Sequence, residues 1–283
     1  MKNNILEEAV NLNKPIGVID SGVGGLTVVH ELMRQLPREK LIYLGDTLRC
    51  PYGPRSADEI IRFTWEMVDF LLTKDIKMLV VACNTATAYT LEELQKKLSI
   101  PVVGVIQPGA RAAIKLTLNN HVGIIGTEGT IRSNAYANAL NMLKPDLKTV
   151  SLACPTFVPI VEQGILSGGL VEQTVEKALL PLKKFDKMDS LILGCTHYPL
   201  LKEVIQQVVG PDITLISSSE ETARETSTIL QMNQLLNDGT ELCYHQFFTT
   251  GDVENFTSLT KSIFNSSIDN LKSVAIEKAY ITH

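Results

Sequence analysis

The sequence predicts an α/β fold of two similar lobes, each a doubly wound parallel sheet, related by internal duplication. Short apolar runs alternate along the chain with segments of helical periodicity, a pattern typical of parallel strands joined by right-handed helical crossovers. The pattern then begins again: Gly123 follows Gly17 by 106 positions, and Cys195 follows Cys83 by 112. Similar offsets relate four elements in all, which favours duplication. We therefore expect a ligand site in the cleft between the lobes.

Four buried strands are predicted in the first half, each a compact apolar run. A glycine-rich turn and a helix through Leu36 follow the first strand, and further helices follow the second and third. Ser56 begins the second helix as an N-cap, with Asp58 and Glu59 placed to complement the helix dipole. The predicted strands are residues 16–19, 41–44, 78–82 and 101–106, the last closed by Gln107-Pro108-Gly109.

The second half repeats this order, and a tail follows it. Its predicted strands are residues 122–126, 150–153, 190–194 and 213–216. The tail is predicted to contain a helix over 220–236, a strand over 242–248, and a further helix and a last strand near 273–277. Because the second lobe needs no further strand, the tail is expected to complete the first lobe. The expected lobes are residues 1–107 plus 217–283, and residues 108–216.

Composition and charge limit the class of protein. The 283 residues are 45% hydrophobic with a formal net charge of -5, and Lys and Arg are scattered, which argues against a nucleic-acid partner. No apolar run approaches the roughly 18 residues of a membrane span, and Glu7 and Glu8 interrupt the position of a signal peptide. The five cysteines contain no CxxC pair, so reduced thiols are expected. These features predict a cytoplasmic globular protein without a membrane partner.

Polar residues gather where the predicted strands end. In parallel α/β sheets the ligand site lies outside these carboxyl ends. The first lobe offers Asp20, Ser21, Pro51, Tyr52, Gly53, Cys83, Asn84 and Thr85. The second offers Thr127, Thr130, Glu162, Cys195, Thr196 and His197. The two sets are matched, and we expect them to face each other across one cleft.

The glycine turn at residues 22–25 first suggests a dinucleotide site, with Asp46 as a ribose partner. That interpretation fails because Thr27 occupies the third glycine position, and because Asp20 would place a carboxylate where a pyrophosphate should approach. A Walker-type phosphate loop fails for lack of its lysine, and no lysine stands at a strand end to anchor a pyridoxal cofactor. A tight turn with close helix packing explains the glycines, and no cofactor is expected.

The five cysteines divide into three groups. Cys154 and Cys243 are predicted to be small core hydrophobes, and the role of Cys50 is left open. Cys83 and Cys195 each end a strand and precede a helix, where the helix dipole and free N–H groups favour the thiolate. A metal centre would have only Cys83, Cys195 and His197 as ligands, so no metal is expected. A redox pair is the second enzymatic interpretation, but it has no resolving cysteine nearby.

Two cysteines at equivalent points of a duplicated fold suit acid–base chemistry on the two faces of one carbon. One thiolate would remove a proton while the opposite thiol supplies one, which inverts the centre. A cysteine pKa of about 8.5, modestly lowered, keeps both protonation states accessible near neutral pH. His197 could tune Cys195, and Asp20 could tune Cys83. The hydroxyl-rich strand ends can hold carboxylates, and Asp20 or Glu162 can balance an ammonium group.

These residues resemble the glutamate racemases over nearly the whole chain. The resemblance rests on IGVIDSGVGGLTV (16–28), PYGPRS (51–56), ACNTATA (82–88), GTEGTIRSNAY (126–136), CPTFVPIVE (154–162) and LGCTHYPLL (193–201). ACNTA and GCTHYP alone would mark the wider aspartate/glutamate racemase superfamily. The resemblance implies a cofactor-independent enzyme, a homodimer, that makes D-glutamate for peptidoglycan.

The resemblance also implies roles for individual residues. Cys83 is expected to act on D-glutamate and Cys195 on L-glutamate, assisted by Asp20, Glu162 and His197. The implied substrate contacts are Asp20, Ser21, Tyr52, Gly53, Asn84, Thr85, Thr196 and His197. Two alternatives stay open: a racemase of another amino acid such as aspartate, and a bilobal amino-acid-binding protein without chemistry.

Overall fold

The computed structural model describes residues 12–239, 243–264, 268 and 270–276. All structural statements below concern these residues. Among them, no helix combines the length and the apolar character needed to cross a membrane.

Two parallel sheets form the centre of the fold, which confirms the predicted fold class. The order across the first sheet is β10-β9-β2-β1-β3-β4, and across the second it is β6-β5-β7-β8. In chain order the strands are β1 (Ile16–Asp20), β2 (Leu41–Gly45), β3 (Met78–Val81), β4 (Val102–Gly104), β5 (His121–Gly126), β6 (Lys148–Ala153), β7 (Ser190–Gly194), β8 (Thr214–Ser217), β9 (Gln246–Thr249) and β10 (Leu271–Ser273).

The two sheets share one arrangement of strands. The run β2-β1-β3-β4 of the first corresponds, strand by strand and in order of sequence, to β6-β5-β7-β8 of the second. Neighbouring strands are parallel throughout both runs. Strands β3 and β7, which precede Cys83 and Cys195, therefore occupy equivalent places.

Helices cover the sheets. They are α1 (Leu26–Gln35), α2 (Ala57–Leu72), α3 (Asn84–Lys97), α4 (Ile106–Leu116), α5 (Glu128–Arg132), α6 (Ala135–Leu143), α7 (Phe157–Glu162), α8 (Gly169–Leu179), α9 (Lys202–Val209), α10 (Ser218–Met232) and α11 (Val253–Phe264), with short 3-10 turns at Leu180–Lys184 and Tyr198–Leu201. The predicted N-cap of α2 is confirmed: Ser56 Oγ accepts the Glu59 N–H at 3.3 Å, and Glu59 Oε2 accepts the Ser56 N–H at 3.1 Å.

Alternate side chains of the first sheet enter two different cores. Val18 and Val80 pack into the core on one face, and Ile19 and Val81 into the core on the other. All four side chains are completely buried. A strand buried on both faces needs apolar residues at every position, which is why these runs do not alternate with polar residues.

Three predicted segments differ from the structure. The fourth strand ends at Gly104, and residues 107–109 belong to the first turn of α4 instead of closing a strand. Proline is tolerated there because N–H groups in the first turn have no partner within the helix. The strand expected over 242–248 is confined to β9, and residue 242 lies outside the described part. The last strand, expected near 273–277, is instead β10 and ends at Ser273; residues 274–276 are not in a strand, and residue 277 lies outside the described part.

The tail contributes two strands to the first sheet, because β9 pairs with β2 and β10 with β9. Helices α4 and α10 pack on each other between the sheets: α4 also contacts β7 and β8, and α10 contacts α1 and β4. The predicted boundary at 107/108 falls inside α4, and the one at 216/217 falls inside β8, just before α10 begins. The division into residues 1–107 plus 217–283 and residues 108–216 stays a prediction.

Candidate active site

The carboxyl ends of three strands bring predicted site residues together between the sheets. Asp20 is the last residue of β1, while Cys83 follows β3 and Cys195 follows β7. Their exposed fractions are 0%, 5% and 6%. Both cysteines are free thiols.

Cys83 is the N-cap of α3, and its sulfur accepts a hydrogen bond from the Ala86 N–H at 3.4 Å. Its Sγ also lies 3.5 Å from Ser21 Oγ. The expectation of a lowered pKa is wrong for this thiol. Burial, with the negative charge of Asp20, raises the pKa of Cys83 to about 12, and its hydrogen bonds with Ala86 and Ser21 offset only part of that rise. Cys83 therefore rests as a neutral thiol.

Asp20 links the two lobes. Its Oδ1 accepts the Gly22 N–H at 3.0 Å, and its Oδ2 accepts a hydrogen bond from Thr196 Oγ1 at 3.2 Å. Burial raises the pKa of Asp20 to about 6, although the positive charge of His197 and the hydrogen bonds lower it. Burial therefore disfavours the carboxylate form of Asp20, and His197 and the hydrogen bonds only partly offset this free-energy cost.

His197 bridges Cys195 and Glu162. Its Nδ1 lies 3.7 Å from Cys195 Sγ, and its Nε2 lies 2.6 Å from Glu162 Oε1. Burial by itself lowers the pKa of His197, but the hydrogen bonds and negative charges of Cys195 and Glu162 outweigh it and raise the pKa well above its usual range. Burial by itself raises the pKa of Glu162, but the hydrogen bonds from His197 and the Val23 N–H and the charge of His197 outweigh burial, so the pKa is lowered. The result is an imidazolium beside the second thiol.

Three hydroxyls from the two lobes form a buried cluster. Thr85 Oγ1 lies 2.8 Å from Thr127 Oγ1 and 3.1 Å from Thr130 Oγ1. Gly53 packs against the same cluster, where an added Cβ would lie 2.7 Å from the Cβ of Thr127. Only glycine allows this close approach of the 51–53 loop to the second lobe.

Asn84 has a free donor in this region. Its Oδ1 accepts a hydrogen bond from the Tyr136 hydroxyl at 2.7 Å, whereas its buried Nδ2 has no hydrogen-bond partner in the described part of the chain. An unsatisfied buried donor costs about 1–3 kcal/mol. A ligand oxygen would remove that cost.

The sequence did not reveal how the loop carrying Pro51 and Tyr52 is held. Asp46, completely buried, accepts hydrogen bonds from the Tyr52 hydroxyl at 2.5 Å, from Arg49 Nε at 2.6 Å and from Thr250 Oγ1 at 2.7 Å. The tail therefore ties down this loop from beside β9. In the sequence Asp46 suggests only a ribose partner, and nothing in the pattern pairs it with a residue two hundred positions away.

We expect Asp46→Asn to lower the free energy of unfolding by about 1.5–3 kcal/mol, because it weakens hydrogen bonds that end on a buried charge. Urea denaturation at pH 7 measures the change. Asp212→Asn is the matched control, since Asp212 is exposed and a surface change of this kind shifts stability by no more than about 0.5 kcal/mol. Equal stability of the two variants would contradict the anchoring role of Asp46.

The remaining cysteines divide differently from expectation. Cys154 is completely buried in the core of the second lobe, as predicted. Cys243 is only half-buried, so its assignment as a core hydrophobe is wrong; its sulfur donates to the Arg38 carbonyl at the surface. Cys50, left open by the sequence, lies beside the predicted site with its Sγ 3.7 Å from Glu162 Oε1.

Comparison with known proteins places these residues in a family context. The family model described as Asp/Glu/hydantoin racemase matches residues 16–226. A glutamate racemase of Oceanobacillus iheyensis is 63% identical over 271 residues, which cover 96% of this chain and 98% of that protein.

Solved structures agree in fold. A glutamate racemase of Bacillus anthracis superposes with a TM-score of 0.89 at 53% identity, covering 93% of this chain and 97% of its own. A glutamate racemase of Francisella tularensis, solved in complex with D-glutamate, gives a TM-score of 0.87 at 37% identity, covering 94% and 99%.

Proposed function

The chain belongs to the Asp/Glu/hydantoin racemase family, within its glutamate racemases, and from that premise we propose that it interconverts L- and D-glutamate by a two-thiol mechanism without a cofactor. The observation that carries the mechanism is the equivalence of the two thiols. Cys83 and Cys195 are buried, free and positioned after the corresponding strands of two sheets with one strand order. Inversion at a carbon needs one base and one acid on opposite faces, and such a pair of lobes can supply them.

In the proposed reaction one thiolate takes the Cα proton and the opposite thiol returns a proton to the other face. Cys83 removes the proton from D-glutamate, and Cys195 removes it from L-glutamate. The raised pKa of Cys83 supports a thiol that donates in the resting state. When the substrate enters, the positive charge of its ammonium group favours the thiolate, whereas the nearby carboxylates favour the neutral thiol. The balance of these charges determines whether the thiol is protonated.

His197, Glu162 and Asp20 are proposed as assistants. The imidazolium of His197 lies beside Cys195 and can stabilise its thiolate, while Glu162 holds His197 in place. Asp20 is charged above about pH 6 and can balance the substrate ammonium near Cys83. The two thiols thus have neighbours of opposite charge: the carboxylate of Asp20 lies near Cys83, and the imidazolium of His197 lies beside Cys195.

The substrate carboxylates are proposed to bind to the polar atoms of both lobes. Asn84 Nδ2 is the strongest candidate, because it is buried and without a hydrogen-bond partner in the described residues. The other proposed contacts are Ser21, Pro51, Tyr52, Gly53, Thr85, Thr127, Thr130 and Thr196. Tyr52 contributes through its backbone and ring, since Asp46 already accepts a hydrogen bond from its hydroxyl.

Three wider proposals go with this function. The protein is proposed to be a cytoplasmic homodimer, and its D-glutamate is proposed to supply peptidoglycan. The homodimer and the peptidoglycan role rest on the resemblance to the named relatives, which are called glutamate racemases, and the location rests on the composition of the sequence.

Solvent labelling tests the proposed function. In deuterated water, with a chelator and no added cofactor, product formed from either enantiomer of glutamate is expected to carry deuterium at Cα, because the thiol that donates has exchanged its proton with solvent. Mass spectrometry and chiral chromatography measure label and configuration together. Unlabelled product would rule out the two-thiol route.

A side-by-side assay separates the alternatives. Aspartate should be racemised far more slowly than glutamate; faster turnover of aspartate would assign the chain to the other substrate. Tight binding of glutamate without turnover would instead indicate a binding protein.

A further inference from the structure

We propose that Cys50, Glu162 and His197 form a binding site for a soft or borderline transition-metal dication, with Zn²⁺ as its representative, and that metal bound there inhibits the enzyme. Metal binding is argued from the positions and chemistry of these side chains, and only the inhibition rests on the proposed function. This site differs from the set of Cys83, Cys195 and His197, which the sequence offers as possible metal ligands.

The three side chains bring one sulfur, one oxygen and one nitrogen to a common point. Their ligand atoms all lie within 4.8 Å of one another. Cysteine, histidine and carboxylate are the usual ligands of protein zinc, and a site with three protein ligands keeps its fourth position for water or another small ligand.

The spacing is close to that of a tetrahedral centre. With a Zn–S bond of about 2.3 Å and a Zn–O bond of about 2.1 Å, sulfur and oxygen should lie about 3.6 Å apart. Cys50 Sγ and Glu162 Oε1 lie 3.7 Å apart. His197 Nε2 and Glu162 Oε1, at 2.6 Å, share a hydrogen bond and need to separate by somewhat less than an ångström. Metal would therefore take the place of the proton between them.

The surroundings favour a cation. The negative charge of Glu162 acts on both Cys50 and His197, and that of Asp20 acts on Cys50. Cys50 itself is held as a neutral thiol, its pKa raised by burial and by Glu162 and Asp20. Binding of the metal releases the thiol proton and the proton of His197 to solvent, and forms the Zn–S and Zn–N bonds with no change in oxidation state.

Access comes from the side of Glu162. A quarter of its side chain is exposed and Cys50 is only half-buried, while His197 is buried behind them. A metal can therefore reach all three ligands without unfolding the cleft. Once bound, the metal replaces the Nε2 proton of His197, so the proposed reaction loses the imidazolium beside Cys195 and the hydrogen bond by which Glu162 holds it.

Isothermal titration of Zn²⁺ into the reduced protein, without substrate, tests the site. One zinc per chain is expected for the wild type, for Cys243→Ser and for the double variant Cys83→Ser/Cys195→Ser. Cys50→Ser keeps a hydroxyl beside Glu162 and is expected to bind zinc at least about tenfold more weakly, since loss of even an outer-shell partner costs about 10- to 100-fold. Co²⁺ should give a thiolate charge-transfer band in the wild type that is missing in Cys50→Ser.

Three results of the titration would overturn the proposed metal site. Equal affinity of wild type and Cys50→Ser, or lack of binding by the wild type, overturns the site. Lack of binding by the folded double variant places the metal on the catalytic thiols and also overturns it. For inhibition, Cys50→Ser should keep its activity in the absence of metal and need at least tenfold more Zn²⁺ for half-inhibition; equal sensitivity overturns that half. Because the titration needs no turnover, failure of the proposed function leaves it interpretable.

Discussion

Replacing either Cys83 or Cys195 with alanine is expected to lower racemisation of glutamate by about 10²- to 10⁴-fold in both directions, because each direction needs both a base and an acid. The two variants should differ in the enantiomer whose Cα proton they still exchange with solvent. Cys195→Ala keeps Cys83 and should exchange the Cα proton of D-glutamate with solvent without inverting it. Cys83→Ala should do so only with L-glutamate. Proton NMR in deuterated water follows the loss of the Cα signal of each enantiomer.

Cys154→Ala is the matched control for these variants, because Cys154 is a buried thiol with no place in the proposed chemistry. It should retain turnover if it remains folded, which circular dichroism checks. Full activity in Cys83→Ala or Cys195→Ala would remove that residue from its role. Exchange of the same enantiomer by both variants would instead contradict the assignment of one thiol to each face.

Asp20→Asn is expected to make the protein more stable at pH 7.5 and less active. The unfolded carboxyl ionises near pH 4 and the folded one near pH 6, so the native state holds an extra proton between these values and loses stability as the pH rises through them. A difference of about two pH units corresponds to about 3 kcal/mol. Asparagine cannot ionise, so the variant does not lose this stability as the pH rises. Turnover should fall about 10²-fold or more, because the negative charge of Asp20 is missing.

Denaturant unfolding of Asp20→Asn and wild type at pH 5 and pH 7.5 measures the effect. The stability advantage of the variant should grow with pH. Asp189→Asn is a control of opposite sign, because hydrogen bonds from Ser190 and Thr117 outweigh its burial and lower the pKa of Asp189. That variant should lose stability at pH 7.5. A constant difference between Asp20→Asn and wild type across the pH range would contradict the raised pKa.

The fold was predictable because its strands are buried on both faces and its pattern occurs twice. The run that ends at Val81 and the run that ends at Gly194 contain no polar residue apart from Ser190, and each is followed by a cysteine and a hydroxyl-rich turn. Boundaries were harder where local signals conflict. Pro108 and Gly109 suggested the close of a strand, but packing of α4 on β7 and β8 extends the helix over them.

The positions of Asp20, Cys83 and Cys195 at strand ends were predictable, but the protonation of Cys83 was not. Placement at a helix start suggested an acidic thiol at Cys83, yet the pKa depends on burial and on Asp20, which only the folded chain brings near. Long-range partners were equally hidden. Asp46 and Thr250 meet because the tail returns beside β2, and Cys50 meets Glu162 because the two lobes face each other.

The contacts across the cleft have a kinetic consequence. Thr85 is hydrogen-bonded to Thr127 and Asp20 to Thr196, and the exposed fractions of Cys83 and Cys195 are only 5% and 6%. Under the proposed function, these hydrogen bonds must break when glutamate enters the cleft and again when product leaves it. Opening of this kind sets the turnover of many enzymes. The hydrogen bonds that join the lobes would then also limit the rate of the proposed reaction.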